Sequence, residues 1–177
     1  RAKLNPKRVV FAEADQLNVL KAAQIVLEEG IATPILLGRR DEIERLMEEL
    51  EFNDEVLIID PKADESTVQK NKYAEIYWKQ QQRKGVTLLA AQKSMRERNY
   101  FAAMMVNEGD ADALISGYSS NYGSVVKPML NLIGLAPGST RIATTNVMIT
   151  QRGPMFLSDT AININPSADD LIKIAQM

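Results

Sequence analysis

The sequence predicts an α/β fold with a mostly parallel sheet between two helical layers, and three observations predict it. Short β-branched runs recur at Arg8 to Phe11, Thr33 to Leu37 and Val56 to Ile59. Amphipathic segments of helical period lie between them, and glycine or acidic residues punctuate the joins. Strands alternating with helix-length amphipathic segments are the pattern of βαβ units, whose successive strands run parallel.

In order, Arg8-Val9-Val10-Phe11 is the opening strand. Asp15 is placed to cap a helix running to Glu29, with Val19, Ala22, Ala23, Val26 and Leu27 on one face and Gly30 as its stop. Thr33 to Leu37 is the second strand. Asp41 to Glu51 carries Ile43, Leu46, Met47 and Leu50 on one face and reads as a surface helix, and Val56 to Ile59 is the third strand. Glu65 to Lys84 reads as a long exposed helix with Trp78 as a packing residue. A second helix follows from Thr87 to about Met95, and a third from about Asn99 to Glu108, stopped by Gly109. Ala113-Leu114-Ile115 is a short buried strand ending at Ser116-Gly117. A polar loop, Ser119 to Gly123, leads into a helix from about Ser124 to Ile133 that Pro128 restricts to starting close before it. Pro137-Gly138 marks a turn and a lobe boundary, dividing the chain into 1–138 and 139–177. Arg141 to Thr150 alternates as a strand, Gln151-Arg152-Gly153 reads as a tight hairpin and Met155 to Leu157 as its return. Ser167 caps a short last helix.

The chain has 177 residues, 45% hydrophobic and 25% charged, with 21 basic against 23 acidic side chains and a net charge of -2. That is enough for one domain, or one and a fraction, with a sizeable core. There is no cysteine and no histidine. Disulfides, thiolate nucleophiles, Cys-type zinc sites, Ser-His-Asp triads and imidazole bases are therefore excluded. Chemistry falls to carboxylates, Lys and Arg, hydroxyls, amides and backbone, and no resident metal is expected in this chain. A pI near 5.3 with mixed signs argues against a nucleic-acid face. The apolar run Ile31 to Leu37 is too short to span a bilayer, so no membrane partner is expected. No targeting signal is visible, which makes the cytoplasm the expected compartment. Arg1 in place of an initiating methionine suggests a piece of a longer protein.

Neither G-x-x-x-x-G-K-[ST] nor G-x-G-x-x-G occurs. The acidic pairs Asp110/Asp112 and Asp169/Asp170 read as solvated carboxylates that complement local structure in preference to a metal or acid/base site, and Arg96-Glu97-Arg98 as a solvated turn in preference to an anion-binding one. The strongest candidate site is Ser116 to Lys127, because a buried strand feeding a polar loop and a helix is where open α/β sheets bind ligands. Helix N-H groups there suit a phosphate or carboxylate, with Ser119, Ser120, Asn121, Tyr122 and Lys127 as further donors. A capped helix with an ordinary surface lysine explains the same residues. A second candidate is Ser158 to Ser167, where Asp159, Asn163 and Asn165 either line a cleft or satisfy backbone groups.

Taken in order, several stretches resemble the phosphate acetyl/butyryl transferase family. They are Lys7-Arg8-Val9-Val10-Phe11-Ala12-Glu13, Tyr100-Phe101-Ala102-Ala103-Met104-Met105-Val106, Ala111-Asp112-Ala113-Leu114-Ile115-Ser116-Gly117 and Pro137-Gly138. The run Ser158-Asp159-Thr160-Ala161-Ile162-Asn163-Ile164-Asn165-Pro166-Ser167-Ala168-Asp169-Asp170-Leu171 is similar to the family's D-C-A-V-N-P-N-P-T-A-E-x-L. The resemblance spans almost the whole chain but only about the first half of the family's domain. It implies a two-lobed, three-layer α/β/α architecture of the isocitrate/isopropylmalate dehydrogenase type, with the second lobe incomplete. It also implies acetyl transfer between coenzyme A and phosphate, with much of the machinery in the later half and no catalytic residue in this stretch.

Where active members typically read A-V-H-S-T-A-D-T-V-R-P after Ser-Gly, this chain reads Tyr118-Ser119-Ser120-Asn121-Tyr122-Gly123-Ser124-Val125-Val126-Lys127-Pro128. Ser120 stands for histidine, Tyr122 for threonine and Lys127 for arginine, which loses the planar bidentate fork. Such departures resemble the C-terminal acetyltransferase-like domain of the large NADP-dependent malic enzymes, which implies acetyl-CoA as effector and a homo-oligomeric parent. NADP and a divalent metal would then belong to the parent's other domains, where malate is oxidatively decarboxylated to pyruvate. The expectation is therefore a regulatory domain binding acetyl-CoA. An active phosphate acetyltransferase using acetyl-CoA as substrate is the alternative, and an oligomerisation module without ligand is a third. Ser116, Gly117, Ser120, Tyr122 and Lys127, with Asp159, Asn163 and Asn165, are the expected ligand-binding residues.

Overall fold

The structure is a computed structural model that describes residues 2–137 and 139–176. Arg1 and Gly138 lie outside the described residues, and with Gly138 goes half of the expected turn. The chain divides into two compact units, Arg1–Ile133 and Gly134–Met177.

In the first unit, strands β1 (Lys7–Phe11), β2 (Ala32–Leu37), β3 (Leu57–Ile59) and β4 (Ala113–Ile115) form one sheet in the order β3-β2-β1-β4. All three pairings are parallel, with Val10 opposite Ile35 and Leu114. Strand alternation sends Val10, Ala12, Ile35 and Leu37 to one face and Phe11 and Leu36 to the other. Helices α1 (Leu17–Glu28) and α2 (Arg40–Glu49) cover the second face through Leu20, Ala23, Ile43 and Leu46. Helices α3 (Thr67–Gln81), α4 (Leu88–Ser94), α5 (Arg98–Asn107) and α6 (Tyr122–Leu132) cover the first. Tyr73, Phe101, Met95, Met104 and Met105 fill that side, each burial being worth about 1.5–3 kcal/mol for a large apolar side chain. The expected α/β/α layering is thus built from two clusters on opposite sheet faces.

Several elements differ from expectation for identifiable reasons. The long segment at Thr67–Gln81 is not an exposed helix, since Tyr73, Ala74 and Tyr77 are buried and Trp78 packs at the edge of their cluster. Tyr73 stacks edge-on against Phe101, with ring centroids 5.2 Å apart. Asp15 does not cap α1, whose N-cap is Gln16. Its carboxylate is instead gripped by both terminal nitrogens of Arg98, at 2.8 and 2.9 Å. Arg98 is therefore a half-buried ion-pair partner rather than part of a solvated turn. Asp110 and Asp112 are also engaged. Asp112 receives the Arg8 guanidinium at 3.0 Å and the Arg8 N–H at 2.8 Å, and Asp110 accepts from the buried Tyr73 hydroxyl.

Helix α6 opens at Tyr122, well before Pro128, which sits inside it. Proline cannot donate to the carbonyl four residues back. That carbonyl, on Ser124, is met by the side-chain amide of Asn99 at 3.3 Å, so the helix passes through Pro128 without an orphaned acceptor. Asn121 caps its start, its side chain accepting from Ser124 N–H at 3.0 Å.

In the second unit, β5 (Thr145–Thr150) and β6 (Gly153–Ser158) pair antiparallel around the expected tight turn, with Thr150 opposite Gly153. Residues 141–144 are not strand. Their would-be partner turns away at Asp159, whose φ of +55° ends the ladder. Helix α7 (Ala168–Gln176) begins as expected after Ser167, whose hydroxyl accepts from Asp170 N–H at 3.3 Å. The Asp170 carboxylate accepts in return from Ser167 N–H at 2.9 Å, forming a capping box. Asp170 is accordingly buried rather than solvated, and Arg141 pairs with it at 2.6 Å.

Candidate functional site

Strands β1, β2 and β3 run in sequence to one side, and β4 then returns to the other side of β1. The sheet therefore has its topological switch point between the C-terminal ends of β1 and β4, where open α/β sheets leave a crevice. Glu13 follows β1 there, and Ser116 to Ser120 follow β4.

Glu13 organises this point. Its side chain is buried, with only 1% of its surface exposed, and it accepts five hydrogen bonds from the facing loop. Oε2 takes the N–H groups of Gly117 (2.9 Å) and Tyr118 (2.6 Å). Oε1 takes the N–H of Ser119 (3.1 Å) and the hydroxyls of Ser119 (2.6 Å) and Ser120 (3.0 Å). Gly117 supplies the φ of +103° that lets three successive N–H groups converge on one carboxylate. Burial pushes the Glu13 carboxyl up, but the hydrogen bonds from Ser119, Tyr118 and Ser120 outweigh it and bring the pKa down to about 2. The group is a fixed anion at neutral pH.

Asn99, buried at the start of α5, ties this loop to α6. Its Oδ1 accepts from the Ser116 hydroxyl at 2.7 Å while its amide donates to Ser124 O. On the α6 side, Ser120, Ser124, Asn99 and Lys127 line a cavity of about 300 Å³. On the other side, Phe11, Val19, Ile115 and Tyr118 line a mainly apolar cavity of about 350 Å³, closed at one edge by a 2.7 Å hydrogen bond from Asn18 to the Tyr118 hydroxyl.

Of the expected residues, the structure brings Ser116, Gly117 and Ser120 together around Glu13 and Asn99. It places Lys127, exposed, in the same cavity as Ser120. Tyr122 stands half-exposed in the first turn of α6. The N–H groups of Gly117, Tyr118 and Ser119 are held by Glu13 and that of Ser124 by Asn121, so they are not the open anion donors that sequence reasoning assigned here. The other expected residues lie in the second unit. Asp159 accepts from Asn163 N–H at 3.2 Å, and Asn163 donates to Ile142 O at 3.0 Å and accepts from Arg141 at 3.3 Å. Both satisfy local backbone and side-chain groups, and Asn165 is exposed. Sequence reasoning missed Glu13 and Asn99 as site residues. A carboxylate directly after a central apolar strand was the available signal for Glu13; for Asn99, Pro128 implied a Ser124 carbonyl in need of a donor but did not say which residue supplies it.

The family model described as "Phosphate acetyl/butaryl transferase" matches residues 1–177. The chain belongs to the phosphate acetyl/butyryl transferase family. It is 35% identical to a phosphate acetyltransferase of Thermoanaerobacterium thermosaccharolyticum over 99% of this chain and 54% of that enzyme. An NADP-dependent malic enzyme of Haemophilus influenzae is 31% identical over 100% of this chain and 24% of that protein. Among solved structures, the EutD phosphotransacetylase from Staphylococcus aureus superposes with a TM-score of 0.83 at 27% identity, over 96% of this chain and 51% of that one. The chain thus spans about half the length of that phosphate acetyltransferase and of that solved structure. A transferase-type α/β domain is established. One phosphate acetyltransferase relative reaches 35% identity against 32% and 31% for two malic-enzyme relatives, which favours the transferase alternative over the malic-enzyme regulatory reading. Among the described residues, no helix is long and apolar enough to cross a membrane.

Proposed function

We propose that the protein containing this chain moves an acetyl group between coenzyme A and phosphate, and that this chain supplies one wall of the cleft where transfer occurs. The carrying observation is the loop Ser116 to Ser120, fixed by Glu13 at the sheet's switch point and followed by α6 with Lys127 beside it. In the transfer, a phosphate oxygen bonds the acyl carbon and the carbon–sulfur bond breaks, so negative charge passes from phosphate through the carbonyl oxygen to sulfur. A lysine ammonium near that path stabilises the developing oxyanion, and the open N–H groups of Tyr122 and Gly123 at the start of α6 add positive potential. Glu13 is a positioning residue in this reading. Its negative charge is consumed by the loop it holds, which leaves the cleft side to Lys127.

Phosphate-dependent release of coenzyme A from acetyl-CoA by the intact protein tests the reading. Lys127→Ala should lower kcat/KM by about 10²- to 10³-fold. A native rate equal to buffer removes transferase activity. Heat on titrating acetyl-CoA into such an inactive protein would support the regulatory reading, which is favoured by the Ser120, Tyr122 and Lys127 departures and by malic enzymes being among the relatives.

A further inference from the structure

The serine hydroxyls on the wall of the Lys127 cavity have their protons committed elsewhere. A hydroxyl has one proton, and an ionised carboxylate or a carbonyl can only accept. Ser120 lies 3.0 Å from Glu13 Oε1, so its proton points at that carboxylate, and Ser124 donates to Asn121 O at 2.8 Å. The same holds behind them. Ser119 donates to Glu13 at 2.6 Å. Asn99, whose amide nitrogen must face the Ser124 carbonyl, turns Oδ1 to Ser116 and takes that hydroxyl's proton. What Ser120 and Ser124 offer the cavity is therefore lone pairs alone.

The rest of the wall keeps this polarity. The N–H groups of Gly117, Tyr118 and Ser119 are held by Glu13 and that of Ser124 by Asn121. Around the same cavity Glu97 adds a carboxylate, Arg98 is paired with Asp15 at 2.8 Å, and the Tyr100 hydroxyl accepts from Asn131 at 3.1 Å. Lys127 is the one cation on this wall without a carboxylate partner among the described residues. A phosphoryl group set against Ser120 would meet lone pairs, with the fixed Glu13 anion one hydrogen bond behind them. A neutral N–H meets the opposite, since an oxygen that donates to an anion is polarised into a better acceptor. Ser120 donates to a carboxylate and Ser124 only to a carbonyl, so Ser120 is the stronger acceptor of the pair.

Acyl-CoA carries such an N–H. Its first amide is joined to the thioester sulfur by an ethylene spacer, so a thioester carbonyl at Lys127 brings that amide into the same cavity of about 300 Å³. We propose that Ser120 is the specificity-determining acceptor for this amide N–H, selecting an amide-bearing acyl thioester over a simple alkyl one. Ser120 has this role only with an acyl-CoA in the cleft, which the transfer reading supplies.

Two neutral probes test it: S,N-diacetylcysteamine, a thioester ending in the amide, and its N-methyl derivative, which lacks the N–H. Each is titrated into the intact protein and followed by backbone amide NMR shifts at Ser119 to Ser124. The expected result is saturable shifts, with affinity about tenfold weaker for the N-methyl probe. In Ser120→Ala the two probes should bind alike, and Ser120→Thr, which keeps the hydroxyl, should restore the gap. The rest of each variant's spectrum reports its folding. A merely structural Ser120 would weaken both probes equally and leave the gap, as would a gap due to the bulk of the methyl group. Equal affinities in the native protein, a gap that persists in Ser120→Ala, or no saturable shift with either probe overturns the proposal. These titrations need no turnover, so the two readings fail separately. A protein that separates the probes but releases no coenzyme A with phosphate keeps the acceptor and loses the transfer. One that releases coenzyme A but binds both probes alike keeps the transfer and loses the acceptor.

Discussion

At the scale of single residues, Glu13 has the largest consequence because one carboxylate satisfies three backbone N–H groups and two hydroxyls of a loop more than a hundred positions away. Replacing it by Gln sets an NH2 donor against other donors, and buried donors left unpaired cost about 2–3 kcal/mol in total. The pH dependence has a definite sign. The folded pKa lies at about 2, below the ordinary 4.5, so the stabilisation is fully present above about pH 4.5 and is lost as pH falls toward 2. Urea unfolding of the native chain and Glu13→Gln should therefore show a stability gap that is constant above about pH 5.5 and shrinks steadily below 4.5. A gap independent of pH would show that Glu13 is not held as an anion. Taking the difference between the two proteins cancels Asp112, which Arg8 also holds down at about 2. The carboxylate's place directly after a central strand was the one local signal, and it does not by itself decide the residue's part in the site. Its partners are distant in sequence, and a lone acid after a strand looks the same whether it faces solvent or a loop.

Secondary-structure elements were legible where hydrophobic period decides them and were misread where tertiary contacts do. Strands β1 to β4 and helices α1, α2 and α4 stand within a few residues of their expected spans, because their apolar residues carry the pattern. Helix α6 was expected from about Ser124 and opens two residues earlier, at Tyr122, with Pro128 inside it. The helix passes through the proline because Asn99 reaches from α5 to the abandoned Ser124 carbonyl. A double-mutant cycle tests this account. Asn99→Ala should cost about 1–2 kcal/mol in the native background, since it strips a partner from Ser124 O and from the Ser116 hydroxyl. In Pro128→Ala, whose restored N–H serves Ser124 O within the helix, the same substitution should cost visibly less. Equal costs in both backgrounds would mean that the amide does not substitute for the missing helix bond.

For the whole molecule, composition allowed one domain and a fraction, and the distribution of buried apolar residues shows where the fraction falls. Two clusters, one on each face of the four-stranded sheet, hold nearly all of the core, and every one of their members precedes Gly134. Among the described residues from 134 onward, Ile174 is the one buried hydrophobic, while Ile149 and Phe156 on the hairpin are 82% and 66% exposed. A two-stranded ribbon with so little apolar cover has little to hold it closed, so its local opening free energy lies far below that of the first unit. Sequence periodicity gave the hairpin and its turn but could not reveal this, because alternation reads the same in a covered strand and a bare one. Limited trypsin digestion of this chain under native conditions should therefore cut first at Arg152, in the exposed turn between β5 and β6, and at Arg141. The many lysines and arginines before Gly134 should survive much longer. Mass spectrometry of the first products decides the matter: early cleavage inside residues 7–133, with Arg152 intact, would show that the hairpin is the more stable part.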